Sequence, residues 1–244
     1  MNQNKFNTVH TARTIMFAEL SKVMDYSIED GNYVDSLNNN IISKKSADGI
    51  RQTSIFLKKL YGFDSGDNQF KALKYFWKLG DNNEKPFFAF VYAINHDELL
   101  SESLQVVQSV KPGEKASIEF FEENIEKYHP KRYTDKTRRS VAQNIASSWK
   151  QAGFIEGKVR NIRRQPEINY RVACFAFLLA YLKGDSGDFI WDSICVKALC
   201  LNEIKLRDLA IECSKRDLML YQYAGSVTVF SFNNLLSKIG IDVI

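Results

Sequence analysis

The chain has 244 residues, of which 45% are hydrophobic and 25% charged, a balance that belongs to globular proteins and excludes a disordered one. The formal net charge of +4 is unevenly spread. Between Lys131 and Arg164 ten bases face two acids, a net +8, which leaves −4 for the remainder. An acidic body carrying one basic segment is the pattern of a protein with a polyanionic partner.

The opening third predicts short helices. "NTVHTARTIMFAELSKVMDYS" places Val9, Ile15, Phe17, Leu20, Val23 and Met24 at helical spacing, with Thr8 or Thr11 available as a cap. "DGNYVDSLNNNI" reads as a turn and a short helix. "SADGIRQTSIFLKKLYG" offers Ser46 as cap, Ile50, Leu57 and Tyr61 as inner stripe, and Gly62 as stop, with Arg51, Lys58 and Lys59 on its polar side. "DNQFKALKYFWKLG" ends at Gly80; its consecutive Tyr75, Phe76 and Trp77 cannot all face one interior. "EKPFFAFVYAINHDELLSESLQVV" predicts two helices broken near Asn95 to Asp97.

"SVKPGEKAS" (109–117) combines Pro, Gly and small polar residues as linkers do, and divides the chain into an N-terminal helical domain (1–110) and a C-terminal domain (117–244). "SIEFFEENIEKY" follows as an acidic helix. A buried helix is expected over 169–183, then a helix pair near 188–199 and 203–214. "RDLMLYQYAGSVTVFSF" predicts a β-hairpin turning at Ala224-Gly225, and "NNLLSKIG" a last short helix. The string "DSGD" occurs at 64–67 and again at 185–188, each time before a helix, where Asp and Ser are ordinary caps.

The basic segment is the most informative. In "TDKTRRSVAQNIASSWKQAGFIEGKVRNIRRQ" (134–165), Thr134 or Asp135 caps a helix that Gly153 ends. At about 100° per residue, Val141, Ile145, Trp149 and Ala152 share one face. Lys136, Arg139, Gln143, Ser147 and Lys150 lie opposite, and Arg138 turns toward the apolar side. Arg suits guanine, Gln suits adenine, and Lys meets guanine or phosphate. A helix, a turn, a second amphipathic helix and a basic β-like tail follow the order of a winged helix-turn-helix. In that arrangement Lys158, Arg160, Arg163 and Arg164 lie along the DNA backbone, with Arg51 and Lys58 as a second contact. The competing reading of the helix is an amphipathic element whose outer face is simply hydrated.

Other chemistries find less support. Cys174, Cys195, Cys200 and Cys213 form no CxxC, and His10, His96 and His129 lie far apart, so no metal site is expected and the thiols read as reduced. No cofactor motif occurs: "PGEKAS" lacks the glycine spacing of a phosphate-binding loop. Asp192, Glu203 and Lys205 resemble the carboxylate–lysine set of metal-dependent nucleases, but Glu203 and Lys205 diverge on a helix. The longest apolar run, "VACFAFLLAYL" (172–182), falls short of the roughly 20 residues that a membrane span requires.

"ARTIMFAELSKVM", "SADGIRQTSIFLKKLYG", "YTDKTRRSVAQNIASSWKQAGFIEG" and the strand pair around "YAGSVTVFSF" resemble the BrxA-like family of small components of bacterial BREX phage-defence operons. The resemblance implies a mainly helical, non-enzymatic DNA-binding accessory protein working beside a methyltransferase and ATPases of the same operon. The expectation is therefore a cytoplasmic, mainly α protein with a winged helix-turn-helix-like unit and a short C-terminal β-hairpin. Its partner would be double-stranded DNA and, through the family, other phage-defence proteins, with no membrane association. The alternatives are a protein–protein scaffold within a defence complex and, behind it, a nuclease.

Overall fold

The computed structural model describes residues 6–225 and 227–242, which are mainly helical with two small antiparallel sheets. The first helix begins later than its apolar spacing predicts, as α1 (Phe17–Ser27). Met16 has φ 52°, a left-handed conformation that no helix interior accepts, so residues 7–16 run as an irregular strap. Val9 and Ile15 match the helical pattern only because the strap buries them too.

Local signals set the next elements. α2 (Tyr33–Asn38) is followed by α3 (Ala47–Tyr61), where Ser46 Oγ accepts from the Gly49 amide. Gly62, at φ 72°, ends α3 in a conformation that glycine reaches without a Cβ penalty. Asp67 caps α4 (Asn68–Leu79) through Phe70 N–H. A Cβ at Gly80 would collide with the Phe88 ring, so only glycine fits this helix end. The second "DSGD" behaves differently: Asp188 makes no side-chain cap to the short α11 (Phe189–Asp192) and instead accepts from Trp191 Nε1.

α5 (Lys85–His96) and α10 (Tyr170–Leu182) are apolar nearly all round, and both are central. α10 packs on α4, α5, α12 (Ile194–Lys197) and α13 (Glu203–Lys215). Phe76, Phe88 and Phe175 meet there with ring centroids 5.3–5.8 Å apart. Each such ring removed from water contributes about 2–3 kcal/mol. Of the three consecutive aromatics in α4, Phe76 and Trp77 are buried and Tyr75 lies at the margin.

After α6 (Glu98–Glu102) and α7 (Leu104–Ser109) comes the stretch expected as a linker, 109–117. It is instead bonded to the rest of the chain. Gly113 N–H donates to Arg163 O, Arg163 N–H to Glu114 O, and Ala116 N–H to Asn161 O, all at 2.8 Å. Residues 113–116 thus form a third extended segment beside a hairpin of β1 (Ile155–Glu156) and β2 (Ile162–Arg163).

The second hairpin, β3 (Leu220–Ala224) and β4 (Val227–Ser231), pairs Tyr221 with Phe230 and Tyr223 with Thr228. It lies over Trp191 and α13, and α14 (Asn233–Lys238) follows it.

The strap is fastened at both sides. Asp97, buried at the start of α6, accepts from Thr8 Oγ1 and from the Val9 amide. His10 Nδ1 lies 2.9 Å from Asp97 Oδ2. On the other side His10 Nε2 meets Ser148 Oγ at 2.8 Å, Asn144 Nδ2 donates to His10 O, and Phe17 N–H donates to Gln151 Oε1.

Candidate nucleic-acid interface

α8 (Ile118–Tyr128) and α9 (Asp135–Gln151) pack face to face across a turn. Thr134 Oγ1 accepts from Thr137 N–H, and Asp135 complements the positive helix start. Val141, Ala142, Ile145, Ala146 and Trp149 are buried, and Trp149 lies 4.5 Å from the Phe90 ring centroid. Gly153 (φ 76°) turns the chain so that Phe154 N–H reaches Trp149 O and the Phe154 ring packs behind the helix.

The opposite face of α9 is open. Lys136, Arg139 and Gln143 are exposed, while Ser147 and Lys150 are partly covered. Lys150 Nζ reaches Lys158 O at 3.5 Å, which joins the end of α9 to the turn between β1 and β2. Burial draws the Lys150 ammonium below its usual pKa. In that turn Lys158 and Arg160 are exposed and flank Val159, which is 83% exposed.

Other candidates are differently placed. Arg138 is turned aside, as its position on the wheel predicts, and pairs with Glu126 and Asp135. Arg139 Nη1 contacts Glu122 at 3.0 Å and Glu119 at 3.4 Å. Arg164 pairs with Glu156 at 2.6 Å and stays half-exposed. Arg51 pairs with Asp48 and, like the exposed Lys58, sits on α3, which packs on α2 and α5.

Arg163 departs from its expected role along a DNA backbone. It is 3% exposed, and its guanidinium donates to Val107 O, Phe154 O and Gln165 Oε1. Burial lowers its pKa, with the Cys200 thiol acting in the opposite sense. Its donors hold the base of the hairpin and are not free for phosphate. Asn161 explains the inversion: at φ 51° it breaks the alternation of the tail and turns the next residues over.

Two cations escaped the sequence reading. Lys115 pairs with Ile162, and Lys111 precedes the same bonded crossing; both are exposed beside the hairpin. The Pro-Gly between them reads as a linker, and only the long-range pairing of 113–116 with 161–163 reveals the neighbourhood.

Two members of the nuclease-like set have basic partners outside it. Asp192 pairs with Lys197 and Glu203 with Arg207. Among the described residues no group of three or more His, Cys, Asp or Glu side chains is placed to hold a metal ion. No helix among them is long and apolar enough to cross a membrane. Burial pushes the Cys195 thiol up to about 12 and the Cys200 thiol up to about 11, values of unreactive side chains.

Compared with known proteins, the chain matches no family model, no curated protein and no solved structure.

Proposed function

We propose that the protein binds double-stranded DNA through α8, α9 and the β1–β2 hairpin, acting together as a winged helix-turn-helix-like unit. The observation that carries the reading is the Lys150–Lys158 contact, which makes the open face of α9 continuous with the hairpin turn. Along this surface Lys136, Arg139, Gln143, Ser147 and Lys150 face the major groove. Lys158, Arg160 and the adjoining Lys115 meet phosphates, with Arg164 available once it leaves Glu156. The extended segment at 114–116, the two helices and the hairpin follow the element order of such a unit. Cytoplasmic action as a non-enzymatic component of a BREX-like defence system is part of the proposal and rests on the short sequence motifs.

Titration of labelled duplex at several salt concentrations tests the reading. Neutralising about five phosphates gives a slope of log affinity on log salt near −4.5. A slope near zero, or undiminished binding by the triple variant R139A/K150A/R160A, would remove it.

A second reading is a protein–protein scaffold. It draws on the apolar side chains left open in the last quarter of the chain, with Phe189 72%, Ile204 73% and Val227 60% exposed. Stable co-purification with another defence component, without any duplex shift, would favour it.

A further inference from the structure

Arg139 differs from every other exposed cation of the α9 face in how its guanidinium is held. Both carboxylate contacts fall on a single nitrogen, Nη1, from Glu122 at 3.0 Å and Glu119 at 3.4 Å. Among the described residues, Nε and Nη2 have no partner. Those two nitrogens carry the parallel N–H pair that matches the O6 and N7 acceptors of guanine. The side chain of Glu122 is only 17% exposed, so its carboxylate is a fixed anchor. Glu119 stands in the first turn of α8, where its own backbone amide and Ser117 hold its carboxyl below the usual range and keep it charged. Arg139 itself lies in the second turn of α9, near the helix end that reads bases in helix-turn-helix complexes.

We infer that Glu119 and Glu122 are positioning residues that hold Arg139 by one nitrogen and aim its free edge at a guanine in the major groove, making it the specificity-determining side chain. The inference rests on the DNA-binding reading above. Its physical basis is pre-organisation: a free arginine loses much of its rotamer entropy on docking, whereas one tethered at Nη1 has lost part of it already. The same carboxylates, being negative, repel the phosphates of a duplex that docks on Arg139. Affinity and specificity therefore respond to them in opposite directions.

The test uses the full chain and fluorescence anisotropy at one fixed salt concentration. A duplex selected from a random library is compared with a random duplex, and with the selected duplex carrying 7-deazaguanine, which lacks the N7 acceptor. The wild type is expected to prefer guanine at one position by about tenfold and to lose that preference with 7-deazaguanine. R139K, which keeps the charge but not the planar fork, loses the preference. E119Q/E122Q also loses the preference, yet binds random duplex as tightly as the wild type or more so. A merely misfolded variant would lose both together. The inference is overturned if E119Q/E122Q keeps the guanine preference, or if R139K keeps it, which would make Arg139 a phosphate contact. Duplex binding with no guanine preference in the wild type overturns it too while leaving the DNA-binding reading standing; failure of every variant to bind duplex removes both.

Discussion

Arg163 Nε donates to the carbonyl of Val107 at 3.2 Å, across 56 residues of sequence, and ties the base of the β1–β2 hairpin to α7. Removing this guanidinium takes the donor from the Val107 carbonyl, while Phe154 O keeps the Arg164 amide, and a buried group left unpaired costs about 1–3 kcal/mol. R163A is therefore expected to lower stability by about 3 kcal/mol in a denaturant titration. R160A, three positions before Arg163 in the same tail but exposed, is expected to leave stability within about 0.5 kcal/mol while reducing the salt slope of duplex binding by about 0.9. Equal effects of the two on stability would refute the distinction.

The strap makes a separate prediction. Ser148 Oγ accepts from Ile15 N–H at 3.0 Å, meets His10 Nε2, and reaches Asn144 O. With Asp97 beyond His10, the order is that of an acyl-transfer triad, but Ser148 and His10 are 0% exposed and Asp97 1%, so no substrate reaches the hydroxyl. The group fastens one segment to another. S148A should cost about 2 kcal/mol, and amide exchange should quicken first at Ile15 and its neighbours, ahead of α9. Uniform quickening over the whole chain would contradict this.

Acid should act through Asp97. Burial by itself raises its pKa, but the His10 ring and the Val9 and Leu100 amides outweigh that and hold the carboxyl below its ordinary value. A depressed folded-state pKa contributes stability that is present above the unfolded value of about 3.9 and is lost as pH falls through the folded value. Thermal midpoints measured from pH 7 down to pH 3 should fall below about pH 4. D97N should start about 3 kcal/mol lower at neutral pH and show a flatter decline. Parallel curves for the two proteins would argue against the assignment.

Trp149 is fully buried between Phe90 and Phe154, and its Nε1–H donates to Ser103 Oγ at 2.8 Å. W149A should cost about 3–5 kcal/mol, whereas W149F should cost about 1–2 kcal/mol, the hydrogen bond and some packing. Chemical denaturation followed by circular dichroism measures both, and a W149F loss as large as that of W149A would show that the ring stacking contributes little.

Much of this molecule is legible locally. Ser46, Asp67 and Thr134 cap the helices they precede, Gly62 and Gly153 turn the chain out of helices, and the apolar run at 172–182 becomes the central α10. Such features depend on near neighbours only. The exposed face of α9 is legible for the same reason, since the period of the helix fixes it. What was hidden depends on distant partners. Asp97 captures the strap from 88 residues away, so Val9 and Ile15 count as apolar without belonging to a helix. Arg163 reads as a surface cation until the carbonyls of Val107 and Phe154 converge on it. Lys115 lies in a sequence with every mark of a linker and becomes part of the basic surface through a crossing that no local pattern announces.

The strap also sets an order of assembly. Asn144, Ser148 and Gln151, which residues 7–17 grip, are synthesised more than 130 residues after them. Until then the buried His10 ring and the Ile15 amide have nothing to bond on that side. A nascent chain can hold Thr8 and Val9 against Asp97 before α9 exists, and the α9 face takes its final seat only when the two ends of this long loop meet. The surface that would touch DNA is thus withheld from incomplete chains, and a polypeptide interrupted before residue 148 carries no finished version of it.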